Sequence, residues 1–249
     1  MFNLLGKEHD DGKLFFIKRL SRGMSKIASS FYPNPVIVRL SDFKSNEYKN
    51  LLGGEYYEPN EENPMLGWRG ASRYYNEAYK DAFQLECKAI KYARDVMKMT
   101  NIIVMIPFCR TPEECKKVIN IMEEYGLKRG VNGLQIYLMC EIPSNVIEAD
   151  RFSQYIDGVS IGGNDLLQLT LGIDRDSDKL TELSDHTNLS YRRMIRIAID
   201  TYKKCGIKVG FCGQQPSDSS EFAQFLIDSG IDSISVVPSS ALLTINKLG

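Results

Sequence analysis

The chain has 249 residues, of which 43% are hydrophobic and 25% are charged, and its formal net charge is -1 at pH 7. A chain of this size and composition can bury a sizeable core, and its balanced charge gives no overall field that would attract nucleic acid or an anionic membrane. We therefore expect a small-molecule partner. The N-terminal stretch lacks the pattern of a signal peptide, and no apolar run reaches the roughly 20 residues that span a bilayer, so we expect a cytoplasmic protein.

The six cysteines are scattered along the chain and include no C-x-x-C pair. This spacing argues against a zinc ribbon and against a disulfide framework, so we expect reduced thiols. Three of them, Cys87, Cys115 and Cys205, fall in helical patterns and are expected to fill space in the core. No repeat or long linker divides the chain, and we predict one domain over residues 1–249.

Short apolar runs alternate with longer helical patterns in chain order. The runs predicted as strands are residues 35–40, 102–107, 134–141, 158–163, 208–213 and 233–238. Their near-continuous apolarity is typical of parallel strands that are buried on both faces. One intervening helix is predicted to begin at Pro112 after the N-cap Thr111, and another to end at Gly230. Repeated β-α order indicates an open doubly wound sheet or a closed (β/α)8 barrel.

Reactive side chains follow the predicted strands directly. They are Arg39, Glu141, Asn164 with Asp165, and Cys212. In a parallel barrel all such positions lie at the C-terminal ends of the strands, where active sites are built, so the pattern favours the barrel. The apolar run "GVSIGG" ends at Gly162 and Gly163, and we expect these glycines to let backbone N–H groups approach a ligand closely.

Glu141 and Asp165 lie one βα unit apart. If their strands are neighbours, the two carboxylates stand about 5 Å apart, and a bound Mg²⁺ or Mn²⁺ would relieve their repulsion. The alternative is that each carboxylate pairs locally, for instance Asp165 as the N-cap of the next helix. Histidine ligands are not expected, since His9 and His186 are the only histidines and neither lies near a strand end.

Arg39 and Arg69 suggest an anionic substrate. A planar guanidinium matches phosphate or carboxylate two hydrogen bonds at a time, although each arginine alone could equally form a structural ion pair. Cys212 lies between glycines at a strand end, where a thiol can meet substrate as an acid or nucleophile. A buried cysteine that only fills space is the alternative for this residue.

Six segments together resemble a known family. They are "VIVRLSDFKSNEY", "EENPMLGWRGASRY", "IIVMIPFCRT", "MCEIPSN", "SIGGNDLLQLTLGIDRDS" and "GFCGQQPSD". In this order they are similar to the C-terminal phosphoenolpyruvate (PEP)-binding barrel of the PEP synthase (pyruvate, water dikinase) family of PEP-utilising enzymes. The resemblance extends from about residue 13 to residue 240. It implies a (β/α)8 barrel of the PEP/pyruvate type.

The resemblance also implies a reaction and a role for each matching residue. The whole enzyme converts ATP, pyruvate and water to AMP, PEP and phosphate, and the barrel transfers a phosphoryl group from a phosphohistidine domain to pyruvate enolate. The implied roles are Mg²⁺ binding by Glu141 and Asp165, substrate binding by these two with Arg39, Arg69, Gly162, Gly163 and Asn164, and proton transfer at the methyl carbon by Cys212. A homo-oligomer is also expected.

Two features depart from the family pattern. The nucleotide-binding and phosphohistidine domains are absent from this sequence, so we expect the chain alone not to use ATP. Nothing before Arg39 matches the family's first strand, which ends in GLxRxE, and residues 67–70 are counted as the third strand. We therefore expect a barrel without its first strand. Either the chain is a fragment of a larger enzyme, or its N-terminal segment or another subunit fills the gap. A non-catalytic PEP- or pyruvate-binding module is the alternative to a catalytic barrel.

Overall fold

Helices and parallel strands alternate along the chain in the computed structural model, which describes residues 11–174 and 177–248. Contacts among Cα atoms divide the chain into two compact units. Unit 1 comprises Met1–Phe108 with Glu113–Ile136, and unit 2 comprises Cys109–Pro112 with Tyr137–Gly249. The single domain over residues 1–249 stays a prediction.

Unit 1 contains two strands and the helices around them. Their bounds are α1 Gly12–Phe31, β1 Val36–Arg39, α2 Ser45–Lys49, α3 Ala71–Tyr74, α4 Lys80–Lys91, β2 Ile102–Ile106 and α5 Pro112–Glu124. The carboxylate of Asp11 begins α1 by accepting hydrogen bonds from the backbone N–H groups of Lys13 and Leu14, which have no partner within the helix. Helix α5 begins at Pro112, as predicted.

Unit 2 contains four strands. Its elements are β3 Ile136–Cys140, α6 Pro143–Ile147, α7 Ala149–Phe152, β4 Gly158–Gly162, α8 Gly163–Leu171, α9 Leu189–Lys204, β5 Lys208–Cys212, α10 Gln215–Asp218, α11 Ser220–Asp228, β6 Ser233–Ile234 and α12 Ala241–Leu248. The helix predicted to end at Gly230 is α11, and Gly230 follows it with a φ of 82°, a left-handed conformation that glycine adopts without strain.

Every strand pairing within a unit is parallel. In unit 1, β1 pairs with β2, with Arg39 opposite Met105. In unit 2, β3 pairs with β4, β4 with β5 and β5 with β6. The prediction of an α/β chain with parallel strands is confirmed. The described residues hold six strands, whereas a complete (β/α)8 barrel has eight and the predicted barrel without its first strand has seven.

The prediction that the strands are buried on both faces holds for the central strands only. All five residues of β2, β3 and β4 are buried, as expected for strands covered on both faces. The expectation was wrong for β1, where Ile37 is 44% exposed, and for the two-residue strand β6, which is partly exposed. Each of these strands pairs with only one other strand among the described residues, so each keeps an edge of unpaired backbone groups.

Residues 67–70 do not form the predicted third strand. The backbone N–H of Trp68 donates to the Glu61 carboxylate, and its carbonyl accepts from Arg73 Nε. A strand would need both backbone groups for its ladder. Gly70 adopts a φ of 58°, which glycine tolerates without strain, and a side-chain carbon there would lie 2.5 Å from Cβ of Phe108. The segment is therefore a loop that leads into α3.

The exposed side of β1 adjoins an apolar groove. The groove has a volume of about 570 Å³ and is lined by residues of α1 and by Val36, Ile37 and Val38. A strand edge with apolar side chains beside it is a template for pairing with another chain.

We expect Ile37→Lys to reduce concentration-dependent self-association, because a charged residue on an edge strand opposes edge-to-edge pairing. The measurement is light scattering across a concentration series. The melting temperature should change by about 2 °C or less, as for other surface substitutions. Val131→Lys, at a position that is 51% exposed in a turn of the same unit, is the control. An equal loss of association in both variants would exclude the β1 edge as the cause.

Candidate active site

The C-terminal ends of β3, β4 and β5 bring predicted site residues of unit 2 to one edge of its sheet. Glu141 directly follows β3, Asp165 lies in the first turn of α8 after β4, and Cys212 is the last residue of β5. The register places Cys212 opposite Gly162 and Cys140 opposite Ile161. The prediction that these strand ends are neighbours is therefore confirmed within unit 2.

Glu141 and Asp165 form a close carboxylate pair. Their oxygen atoms lie within 4.8 Å of one another, Glu141 is 1% exposed and Asp165 is half-buried. Oxygen donors at this separation fit a hard divalent cation such as Mg²⁺ or Mn²⁺. The N-cap alternative for Asp165 is wrong, because the N-cap of α8 is Gly162 and Asp165 occupies the third helical position.

Asn145 holds the backbone that carries Glu141. Its Oδ1 accepts hydrogen bonds from the backbone N–H groups of Glu141 and Ile142, at 3.2 and 3.0 Å. Its Nδ2 donates to the carbonyl of Cys109, and its own carbonyl accepts from the hydroxyl of Tyr202. Asn145 is completely buried. The sequence analysis missed this residue, although an Asn three positions into a helix after Ile142-Pro143 is a capping signal.

The two glycines after the fourth apolar run make room for other side chains. A side-chain carbon at Gly162 would lie 2.6 Å from Oε2 and 2.7 Å from Cβ of Glu141. At Gly163 it would lie 2.4 Å from the Phe211 ring. Both glycines are thus required by the packing of unit 2 itself, while their contact with a ligand stays a prediction. The neighbouring Asn164 side chain is half-buried and accepts a hydrogen bond from Gln215 Nε2 at 2.9 Å.

The cysteines differ in accessibility. Cys212 is half-buried, with its Sγ 3.8 Å from Sδ of Met139. Cys140 is buried, and that burial raises the pKa of its thiol. Cys87 and Cys115 are buried as predicted, whereas the prediction for Cys205 was wrong, because it ends α9 and is exposed. All six cysteines are free thiols, as expected.

In unit 1 the two predicted arginines lie in different environments. Arg39 is exposed at the end of β1. Arg69 is buried, and its Nε and Nη2 donate to the two oxygens of Asp42 at 3.2 and 2.6 Å. Its guanidinium also stacks 4.0 Å from the centre of the Phe108 ring. The structure therefore contains the ion pair that was the alternative for Arg69, and it identifies Asp42 as a residue that the sequence analysis missed.

Of the two histidines, His186 lies within the part of the chain that the structure describes. His186 lies ahead of α9 and packs edge-on against the Phe222 ring, with 5.4 Å between ring centres. His9 lies outside the described residues. Among the described residues no helix is both long and apolar enough to cross a membrane.

The chain matches a known domain family over most of its length. Residues 8–248 match the family described as "PEP-utilising enzyme, PEP-binding domain". The chain therefore belongs to this family, as its resemblance predicted.

The individual relatives are named as PEP synthases. The chain is 61% identical to "Phosphoenolpyruvate synthase" of Aquifex aeolicus, with 95% of the chain and 28% of the relative covered. It is 59% identical to the Synechocystis protein of the same name, with 96% and 29% covered, and 51% identical to that of Escherichia coli, with 96% and 30% covered. The chain thus spans less than a third of the length of these relatives. A solved aldolase/citrate lyase family structure from Burkholderia cenocepacia aligns with a TM-score of 0.45 at 15% identity, covering 90% of this chain and 96% of that one.

If Glu141 and Asp165 bind a divalent ion, Mg²⁺ should raise the melting temperature, because binding to the folded state stabilises it by mass action. At about 100 times Kd the gain is about 2.7 kcal/mol, which corresponds to roughly 5–10 °C for a chain of this size. The double variant Glu141→Gln with Asp165→Asn should lose the shift in thermal unfolding.

The matched control is Glu148→Gln with Asp150→Asn, which removes two charges from the loop and start of α7. This control should keep the full shift. A shift that persists undiminished in the Glu141 and Asp165 variant would contradict the metal site.

Proposed function

We propose that the chain is a PEP- and pyruvate-binding catalytic barrel that acts in the second half of the PEP synthase reaction. In that half-reaction a phosphohistidine, supplied by another domain in cis or in trans, gives its phosphoryl group to the enolate oxygen of pyruvate. The observation that carries the proposal is the close pair of carboxylates, Glu141 and Asp165. They lie at the same strand ends as Cys212, which is opposite Gly162 in the sheet, and the chain belongs to the PEP-binding family.

The chemistry requires three functions, and the two units offer side chains for each. Removing a proton from the methyl carbon of pyruvate leaves negative charge on the enolate oxygen. A divalent ion held by Glu141 and Asp165 would supply Lewis acid stabilisation of that charge. Cys212 is the proposed proton carrier at the methyl carbon, and its half-buried thiol is accessible enough for this role.

The anionic groups of the substrate need cationic and polar partners. We assign the phosphoryl and carboxylate oxygens to Arg39 and Arg69, and further substrate contacts to Gly162, Gly163 and Asn164. Arg39 is supported by its exposure at a strand end. Arg69 is supported by its bidentate pair with Asp42, because that pair fixes the plane of the guanidinium before any ligand arrives.

Arg69→Lys should weaken Mg²⁺-dependent PEP binding, since lysine cannot reproduce either the bidentate pairing or the stacking on Phe108. We expect a loss of about 10- to 100-fold, the usual range for charge-assisted hydrogen bonds. Titration calorimetry measures it. Arg192→Lys, at an arginine paired with the exposed Glu221 in unit 2, should leave affinity unchanged. Equal affinity in wild type and Arg69→Lys would remove Arg69 from the site.

A non-catalytic PEP- or pyruvate-binding module is the second candidate, since a metal ion at the Glu141–Asp165 pair would serve ligand binding equally well without a reaction. The role of Cys212 distinguishes the two, because ligand binding alone does not require a proton carrier.

Cys212→Ala should retain PEP binding and lose proton exchange at the pyruvate methyl group. A positioned acid or base contributes roughly 10²- to 10⁴-fold, so the loss is measurable as deuterium incorporation followed by NMR. Cys205→Ala changes an exposed thiol in the same unit and should exchange normally. Exchange that is unchanged in Cys212→Ala would make this cysteine a packing residue and favour the binding module.

A further inference from the structure

Ser41 is fixed in place by three hydrogen bonds from the interior of unit 1. Its backbone N–H and its hydroxyl both donate to Oε1 of Glu86, each at 2.9 Å. Its carbonyl accepts from the hydroxyl of Tyr74 at 2.7 Å. Ser41 therefore has both backbone polar groups and its side chain bound to side chains that are far away in sequence.

The position of Ser41 gives this anchoring its importance. It lies between Arg39, at the end of β1, and Asp42, which pairs with Arg69. Leu40 is 1% exposed, and its N–H donates to the carbonyl of Met105 on β2. The loop of residues 40–42 is thus held by the sheet at one end and by Glu86 and Tyr74 in its middle.

Glu86 is a charged residue type in an apolar interior. It lies on α4, is 8% exposed, and has buried neighbours such as Leu85, Cys87 and Phe83 on the same helix. A lone carboxylate in such a place is costly unless it accepts hydrogen bonds. An apolar residue of similar size would satisfy the packing of α4, so packing alone does not account for a carboxylate here.

We propose that Glu86 is a positioning residue, which holds the loop of residues 40–42 so that Arg39 and the Asp42–Arg69 pair face an anionic substrate in a fixed geometry. The inference rests on the proposed function for the identity of that substrate. Glu86 itself does not touch substrate in this account and acts through Ser41.

The buried position of Glu86 makes its hydrogen bonds with Ser41 sensitive to pH. Burial raises the pKa of Glu86 to about 7, with the hydrogen bonds from Ser41 opposing the shift. Above that pH the ionised carboxylate accepts two charge-assisted hydrogen bonds, and below it the neutral carboxyl accepts weaker ones. Because the hydrogen bonds from Ser41 lower this pKa, they favour the ionised carboxylate, and Ser41 should be bound to Glu86 more firmly above pH 7 than below it. Ionising the buried carboxylate at the same time lowers the stability of unit 1 as a whole, because burial raises the pKa above its unfolded value.

The other titratable groups around Glu86 do not change charge in this range. Those that interact with it electrostatically are Tyr48, Tyr74, Tyr79 and Cys87. Burial raises the pKa of each of the four, so all stay neutral near pH 7. Asp42 and Arg73 interact with these tyrosines in turn, as a carboxylate and a guanidinium in buried ion pairs.

The test compares wild type with Glu86→Gln, which is isosteric and neutral at every pH. PEP affinity is measured with Mg²⁺ by calorimetry at pH 6 and pH 8. At pH 8 the variant should bind roughly five- to tenfold more weakly, the difference between charge-assisted and neutral hydrogen bonds. At pH 6, where Glu86 of the wild type is itself mostly neutral, the two proteins should bind alike. Taking the ratio at each pH cancels the titration of PEP.

The control is Glu77→Gln, which removes one charge from an exposed residue of the same unit and should give a ratio near one at both pH values. A second readout needs no variant. The amide NMR shift of Ser41 in the wild type should titrate with a midpoint near pH 7, and it should not do so in Glu86→Gln.

The results distinguish the positioning role of Glu86 from the proposed function of the chain. A Ser41 amide that does not titrate, or a binding ratio that is the same at pH 6 and pH 8, would overturn the positioning role. A Ser41 amide that titrates in the wild type alone, in a chain that binds no PEP at any pH, would uphold the anchor and contradict the proposed function.

Discussion

The close approach of Glu141 to Gly162 is the constraint on which the strand ends of unit 2 depend. The Glu141 side chain fills the space that any side chain at position 162 would need. This contact requires β3 and β4 to be parallel neighbours in the observed register. It also directs a buried carboxylate toward the first turn of α8, where Asp165 lies. Placing a buried and a half-buried carboxylate so close together is unfavourable unless a cation or hydrogen-bond donors compensate their charge.

In unit 1, buried charges are compensated by ion pairs within the unit. The fully buried Arg73 donates to both oxygens of Glu58 and lies 4.1 Å from the centre of the Trp68 ring. Because an unpaired buried charge costs several kcal/mol, this pairing keeps Arg73 in place, and its Nε holds the Trp68 carbonyl next to Arg69. The Ser45 hydroxyl donates to Oε2 of Glu61 at 2.6 Å, and Oε1 of Glu61 accepts from the Trp68 N–H, so Glu61 ties the same loop to α2. The loop of residues 67–70 is held by charged side chains rather than through strand pairing.

The sequence alone predicted the features that depend on residues close together in the chain. Apolar runs marked all six strands, although β6 covers only Ser233–Ile234 of the predicted run 233–238. The first reactive side chain after four of the runs marked the strand ends. The errors came from partners that are distant in sequence. Residues 67–70 looked like a strand because the pattern does not show that Glu61 and Arg73 bind the Trp68 backbone. The exposure of Ile37 depends on which strands flank β1, and the roles of Asp42 and Glu86 depend on partners 27 and 45 positions away.

The two cysteines at the strand ends of unit 2 show why burial bears on catalysis. Cys140 is fully buried, and desolvation keeps its thiol protonated, which suits a residue that fills space. Cys212 is the last residue of β5, is half-buried, and lies opposite Gly162 of β4. A thiol that is partly accessible can exchange a proton with a ligand, whereas a fully buried thiol such as Cys140 cannot reach one. Because Cys212 also lies at the strand ends that carry the Glu141–Asp165 pair, it is the cysteine of unit 2 to which we assign the proposed proton transfer.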